Sequence, residues 1–480
     1  MAGQAQEAAE RRPRRVRDPV YDLYTFKDEI DAFALQIIET APFQRLRRIK
    51  QLGFADHVYP GASHTRFAHS LGVYAATRRI IDVIVPRDKH PDLLQTVEVR
   101  EAILAALLHD IGHGPFSHAF ENVYLKVFGR KKVHEDWTCD IVTHAFLEGA
   151  DGGLLGILKE ARAGGALDLL RGKRENWLSA VFASAFDADR LDYVRRDRLM
   201  SGTGTGAIDF TWLLEHVRLT PVPANGHEAK AFAVDRHALQ QAETFLMARY
   251  QLYDQVYFHK VCRGFECLLG ACLQELVKFV EAGKWEAAGL CATNHLVQHL
   301  QACLDAQGDE SDAHKAKLVE TYLRIDDTVL TAALQQMAYA PSEEAEDLRR
   351  LAGSIVNRKR PACLDLEQLH VIHKLPYAKV KAKAKAYITK VLRLKEGKEY
   401  FFDEPTLSVY GKGAREEVPP HKKLWIVTGD MPAVEIIRES KLIGAQPEVR
   451  KIGRLFFVSE AHRNQAREHL FDCLDLKPKP

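Results

Sequence analysis

Long apolar runs are missing from this 480-residue chain: none reaches the roughly 18 uninterrupted residues a membrane span needs, so no transmembrane protein is expected. The opening MAGQAQEAAERRPRRVRD lacks the apolar core of a secretory leader, and a cytoplasmic enzyme is the expectation. Cysteine is sparse. The eight residues from Cys139 to Cys473 include no CxxC pair and fall short of the density of a disulfide-stapled secreted domain. Cys262, Cys267 and Cys272 are five apart, so each is turned by about 140° from the last on a helix and the thiols do not converge. An excess of one charge is lacking too, since 67 Lys and Arg face 65 Asp and Glu for a formal net charge of +2. Any attraction to phosphate must therefore be local. No repeat of 20 to 50 residues is evident. What is present, 46% hydrophobic and 28% charged side chains, is the balance of a globular protein of two or three folding units.

Residues 1–17 carry Arg11, Arg12, Arg14, Arg15 and Arg17 without a periodic apolar face and read as a flexible basic arm. From Asp18 helical spacing takes over. Phe26, Ile30, Phe33, Ala34 and Ile37 share a face, and EAILAALLHD (101–110) is a helix former with almost no polar interior, hence buried. Breaks at 149–165, PVPANGH (221–227) and DAQGDESD (305–312) read as surface loops. A mostly α core over 18–360 is expected, followed by a smaller α+β region over 361–480, where YITKVLRL, KLWIVTG and RLFFVS read as strands. KVKAKAKAYITK alternates Lys with small apolar residues, the pattern of an edge strand with one solvated face.

Nine of the 21 histidines lie between His57 and His144. Imidazole is the commonest metal ligand and the side chain best able to move protons near neutral pH, so the concentration points to a metal or acid–base site. HDIGHGPFSH (109–118) is the strongest local string. His109 and Asp110 end an apolar helix and bring a nitrogen and an oxygen ligand to the edge of a buried bundle, Gly112 and Gly114 permit a bend there, and Pro115 stops the helix. His69 opens another helix in RFAHSLGV, and FDADRLDYVRRD (186–197) supplies carboxylates and arginines. His69, His109, Asp110 and one of Asp187, Asp189 or Asp192 then form a mixed ligand set suited to Fe, Mn, Zn or Mg. Such an ion acidifies water and neutralises phosphate oxygens, so metal-assisted phosphoester hydrolysis is the natural chemistry.

APFQRLRRIKQLGFADHVYPGASHTRFAHSLGV, HDIGHGPFSH, VHED, DADRLDYVRRD and YFHKV, in this order over about residues 14–262, resemble the HD-domain deoxynucleoside triphosphate triphosphohydrolases. The resemblance implies an HD-domain helical bundle in which His69, His109, Asp110 and Asp189 hold the divalent metal. It implies His113, His118 and His134 as active-site histidines, with Glu121 where the family has an aspartate that orients one of them. Phosphate contacts would come from Arg66, Arg190, Tyr193, Arg249, His259 and Lys260, sugar contacts from Asp197 and Tyr257, and base contacts from Gln51 and Leu52. The implied reaction is attack at the α-phosphorus of a deoxynucleoside triphosphate, giving deoxynucleoside and inorganic triphosphate, with His118 protonating the leaving 5′-oxygen. Tyr257 would be the steric check against a 2′-hydroxyl.

The family pattern also implies a homo-oligomer, dimer or tetramer, and an activating nucleotide bound at subunit contacts near Arg14, Arg15, Glu39, Gln44 and Arg47. Here Glu39 replaces an aspartate, and Arg14 with Arg15 replace a lysine and an apolar residue. Phe258 stands where a polar neighbour of Tyr257 is expected, which bears on base and sugar selectivity. Two rival readings keep less of this pattern: an HD phosphohydrolase of nucleoside monophosphates or cyclic nucleotides, and a nucleic-acid-binding scaffold that uses the arginine arm and lysine strand around a vestigial site.

Overall fold

The computed structural model describes residues 13–84, 96–129, 132–148, 152–174, 178–204, 208–224, 227–306, 311–410, 419–445 and 449–474. Arg11, Arg12 and His90 lie outside them. The main body is helical, as its apolar spacing predicts. Helix Glu29–Glu39 begins with a reciprocal cap in which Asp28 accepts from the Asp31 backbone and Asp31 accepts from the Asp28 backbone, and it buries Ile30, Ala34, Ile37 and Ile38. Helix Val97–Leu108 is buried on every side from Val99 onward, so it runs through the centre and delivers its C-terminal end, His109, to the interior. Helices Arg66–Ile84, His134–His144 and Ala188–Ser201 meet that end through His69, Thr138 and Asp189, and Lys260–Glu281 lines a cavity together with Asp110. Among the described residues no helix is long and apolar enough to cross a membrane.

Beyond residue 360, strand Arg454–Phe457 pairs antiparallel with Ala362–Asp365 on one side and Tyr400–Asp403 on the other. Helices Tyr377–Ala386 and Glu460–Cys473 cover this sheet, and Val380, Ala384, Ile388, Leu455 and Leu470 share an apolar cluster drawn entirely from residues 364–474. Trp425–Val427 instead joins the hairpin Val217–Ala224/His227–Asp235, pairing parallel with its second strand. The last quarter of the chain is thus tied into the helical body.

Several expectations are corrected. KVKAKAKAYITK is no edge strand: Tyr377–Ala386 is an α-helix continued by a π-helical turn over Tyr387–Val391, which also takes the first strand expected in YITKVLRL. In PVPANGH the described residues are paired strand rather than loop, 221–224 ending one strand, which holds Pro221 and Pro223, and His227 beginning the next, while residues 225 and 226 lie outside the described residues. The first strand is an edge of its sheet, where a missing N–H is tolerated. The Gly-rich stretch contains helix Gly153–Glu160. The arm is not featureless to residue 17, because Arg15–Asp18 pairs with Asp22–Thr25 as a hairpin, Val16 opposite Tyr24, and Val16 packs on the core.

Candidate active site

His109 takes the C-cap position of the central helix. Its Nδ1 donates to the Ala106 carbonyl at 2.8 Å, while its Nε2 is buried with no hydrogen-bond partner. His69, in the first turn of Arg66–Ile84, repeats the arrangement: Nδ1 is 2.7 Å from Asp192 Oδ2 and Nε2 is buried and bare. Asp189 Oδ1 stands 3.1 Å from His69 Nε2 and 3.8 Å from His109 Nε2. Asp110 brings Oδ2 to 3.5 Å from His69 Nε2 and Oδ1 to 3.3 Å from His109 Nε2. Atoms held about 2.0–2.2 Å from one cation stand roughly 3 to 3.5 Å apart. Two orphaned nitrogen lone pairs and the Asp189 carboxylate converge as a group able to hold a divalent metal, with Asp110 beside them and one of its oxygens held by Arg66, and the nitrogen–oxygen set suits Fe, Mn, Zn or Mg. Burial opposes every charge here. The Asp189 and Asp192 carboxylates nonetheless carry His69 up to about 10, and the neighbouring imidazoles hold Asp189 well below the usual carboxylate range.

The three candidate aspartates are distinguished by their partners. Asp187 caps helix Ala188–Ser201, accepting from the Arg190 and Ser184 backbones, and Asp192 lies behind His69, so only Asp189 faces the two bare nitrogens.

In the HDIGHG turn the glycines matter for closeness. Neither Gly112 nor Gly114 has a positive φ; the left-handed residues are Phe116 and Ser117, at φ 55° and 56°. A Cβ on Gly112 would lie 2.1 Å from the His134 carbonyl, so the absence of a side chain lets helix His134–His144 approach the turn. The turn's backbone is held by side chains from elsewhere: Thr138 donates to His109 O, Tyr322 to Gly112 O and Arg45 to His113 O, and Asp327 accepts from Phe116 N. This fixes a second imidazole cluster. Glu121 Oε1 lies 2.8 Å from His134 Nδ1 and 3.2 Å from His118 Nδ1, so the arm longer than an aspartate's reaches both, while His113 Nδ1, 3.5 Å away, is buried without a hydrogen bond. The His113 and His134 rings stack with centroids 3.9 Å apart.

A cavity of about 480 Å³ joins these groups to much of the expected substrate site. It is lined by Asp110, Asp189, His113, His118 and His134, and further by Gln51, Leu52, Arg66, Tyr193, Asp197 and Tyr257. Tyr257 donates to Asp197 at 2.6 Å. The helix Leu239–Leu252 widens into a π-turn over Tyr253–Tyr257, which turns both tyrosines toward the cavity, a local device common at functional sites. Arg190 lines an adjoining opening with His109 and Asp189. Other expected contacts are not brought there. Arg249 points its guanidinium at the Ser408 and Val409 carbonyls and at Tyr193 OH; His259 caps helix Lys260–Glu281 and Lys260 is exposed, and none of the three lines either opening. Arg66 lines the cavity but is 4% exposed and bonded to Asp110 and Ser117. Arg14 and Glu39 form an ion pair, while Gln44 donates to Ile38 O and accepts from Arg47, which places these four expected activator contacts along one surface; Arg15 is exposed on the hairpin.

Several participants were not singled out from the sequence. His64 bonds Asp197 at 2.7 Å, opposite Tyr257. Tyr253 stacks edge-on against Tyr257, and Arg263 and Glu266, held together and tied to Asp403, close the cavity's far wall. A signal existed for His64, five residues before His69 within GASHTRFAHS; none existed for Asp403, which reaches the site from the last third of the chain.

A helical fold whose central helix ends in His-Asp and faces a remote His and Asp defines an HD-type metal centre. Residues 66–193 match the HD domain and 216–312 the HD associated region. The uncharacterized protein YwfO of Bacillus subtilis is 30% identical over 348 residues, 72% of this chain and 70% of that one. The chain belongs to the HD-domain phosphohydrolase family. A Dictyostelium discoideum homologue of deoxynucleoside triphosphate triphosphohydrolase SAMHD1 is 30% identical over 262 residues, 53% of this chain and 48% of its own. A Bacteroides thetaiotaomicron phosphohydrolase shares the fold with a TM-score of 0.68 at 21% identity, covering 93% of this chain and 100% of that one.

Proposed function

We propose that this protein hydrolyses deoxynucleoside triphosphates to deoxynucleoside and inorganic triphosphate. The observation that carries the reading is one cavity in which ligands of the metal cluster, the imidazoles around Glu121 and the Tyr257–Asp197 pair stand together. A divalent ion held by His69, His109, Asp110 and Asp189 acidifies water and neutralises phosphate charge. The chain's own residues do the rest. Arg190 and Tyr193, one and four positions after Asp189, meet the phosphates. Asp197, fixed between His64 and Tyr257, takes the sugar hydroxyl, and the Tyr257 ring closes against the 2′ position. Gln51 and Leu52 face the base. Glu121 holds His118 through Nδ1, which turns its Nε2 proton toward the leaving 5′-oxygen as the bond to the α-phosphorus breaks. At 62% side-chain exposure His118 is the accessible member of its cluster, whereas His113 is fully enclosed.

A competing reading has its own support: with Arg66 and Arg249 bonded internally, fewer cations remain for a long phosphate chain, which favours a nucleoside monophosphate or cyclic nucleotide. One assay decides. Metal-replete protein is incubated with each deoxynucleotide and ribonucleotide, alone and mixed, while nucleoside, monophosphate, phosphate and triphosphate are resolved. Inorganic triphosphate in equal amount to deoxynucleoside is expected, with ribonucleotides at least about tenfold slower. Phosphate release from monophosphates without triphosphate from any deoxynucleotide overturns the proposal.

A further inference from the structure

We infer that Asp18 and Arg196 are positioning residues of the metal centre, so that the N-terminal hairpin helps to set the affinity of His69 for its ion; the inference rests on the metal cluster described above. The ligand nitrogen of His69 is aimed by what its other nitrogen holds, and Nδ1 holds Asp192. Asp192 is fully buried on helix Ala188–Ser201, three residues beyond Asp189, so one helical face supplies both a ligand and the brace of another. Asp192 does not stand alone. Arg196, one turn further on and 1% exposed, grips both of its oxygens, Nε to Oδ2 at 2.8 Å and Nη2 to Oδ1 at 2.9 Å. The same guanidinium forks onto Asp18, Nη1 to Oδ2 at 2.9 Å and Nη2 to Oδ1 at 3.3 Å. Asp18 ends strand Arg15–Asp18 and accepts from the Val20 and Tyr21 backbones through Oδ1, so the carboxylate that shapes the hairpin turn also anchors the relay.

The helix that carries His69 is built to admit this arrangement. A Cβ on Gly72, three residues after His69, would fall 1.8 Å from Asp192 Oδ1 and 2.5 Å from Arg196 Nη2. The charge count gives Asp18 a function beyond packing. With Asp192 as its only partner, Arg196 would neutralise that carboxylate and weaken its bond to His69; with a second carboxylate sharing the guanidinium, Asp192 keeps the charge that makes His69 a strong donor to a metal. The hairpin strand that begins at Arg15, just after the exposed Arg14–Glu39 pair, therefore ends two bonded side chains away from the brace of a metal ligand.

The test uses the full chain stripped of metal and titrated with Mn²⁺, with free Mn²⁺ followed by electron paramagnetic resonance and the thermal stability of the metal-free protein recorded in parallel. Asp18→Asn, isosteric and without charge, is compared with Arg196→Lys and with Arg17→Ala, a hairpin change whose side chain is 78% exposed and outside the relay. Asp18→Asn and Arg196→Lys are expected to weaken Mn²⁺ binding about 10- to 100-fold, the scale of lost outer partners of metal ligands. Arg17→Ala is expected to stay within about twofold, since an exposed pair contributes little. His109→Ala is the reference: if it binds Mn²⁺ as wild type does, the metal-site reading itself has failed. With that reference satisfied, Asp18→Asn within twofold of wild type overturns the relay, as does a loss of metal-free stability in that variant without change in affinity. Should Arg196→Lys not fold, Asp18→Asn decides alone.

Discussion

His69 and His109 are tied from behind through Nδ1, to Asp192 and to the Ala106 carbonyl, and turn Nε2 to a shared point; His118 and His134, a few ångströms away, turn Nδ1 onto a single carboxylate, Glu121, while His113 stands between the clusters, its Nε2 3.3 Å from Asp110 and its Nδ1 buried 3.5 Å from Glu121 without a hydrogen bond. The difference separates two kinds of work from one residue type. An imidazole whose outer nitrogen is locked and whose inner nitrogen is unpartnered is a ligand waiting for a cation; one whose nitrogen rests on a carboxylate is equipped to hold or release a proton. Charge divides the second cluster within itself. Burial pulls against the His134 imidazolium, yet Glu121 keeps it above its ordinary value, while burial and the Arg66 charge drive the stacked His113 well below. Two rings in contact are thus shifted in opposite directions, the pattern expected of a proton-handling pair.

The comparison breaks first if metal and turnover can be separated on the ligand side. His109→Ala and Asp110→Ala are expected to lose bound metal, measured by elemental analysis after gel filtration, and to lower turnover by more than about 10³-fold, beyond the 10- to 100-fold typical of outer partners. On the other side, Glu121→Gln should keep its full complement of metal and still lose about 10²- to 10⁴-fold in kcat, the range of a general acid or base. Metal loss in Glu121→Gln would merge the two clusters into one. Glu121→Asp, which keeps the charge on a shorter arm, should recover part of the rate. The pH profile has a definite sign: removing the carboxylate lets the His134 proton leave at lower pH, so the alkaline limb of kcat moves down.

A third substitution sharpens the boundary between the clusters. Gly112→Ala places a methyl group against the His134 carbonyl and the Thr138 backbone nitrogen, neither of which can rotate aside. Helix His134–His144 must shift, at about 1–3 kcal/mol of stability. Thermal unfolding should report that loss, with kcat reduced and metal content unchanged.

Much of this was legible in the sequence wherever the information is local. HDIGHGPFSH, RFAHS and DADRLDY each carry their chemistry within a few residues, and the structure brings all three to one point. Choosing among Asp187, Asp189 and Asp192 from the residues alone was not possible, because all three lie near the start of one helix and differ only in what faces them from other elements. The arginines were read for charge alone; the partners of Arg66 and Arg249, Asp110 and the Ser408 carbonyl, are 44 and 159 positions away. KVKAKAKAYITK was misread because Lys and Ala alternate with period two, although Val380, Ala384 and Ile388, the residues it buries, already stand four apart, the helical interval.

The smallest expected effect concerns an imidazole that belongs to neither cluster. His299 is fully buried, bonded to Thr321 and Tyr124, and has no carboxylate partner among the described residues; burial, aided by the Lys132 and Arg45 charges, pushes it down to about 3. It is the reference state for the comparison, a histidine that folding discharges. In the unfolded chain it titrates near its ordinary value of about 6.5, so between about 3 and 6.5 the unfolded state binds the extra proton and stability rises with pH. The group alone contributes a slope of up to about 1.4 kcal/mol per pH unit in that window and nothing above it. His299→Gln, which keeps a polar side chain but cannot titrate, should flatten denaturant-measured stability between pH 5 and 6.5 relative to wild type, whatever its offset at pH 8. An unchanged slope would mean that His299 is charged in the folded protein, and that a carboxylate is not what separates the buried imidazoles of this fold.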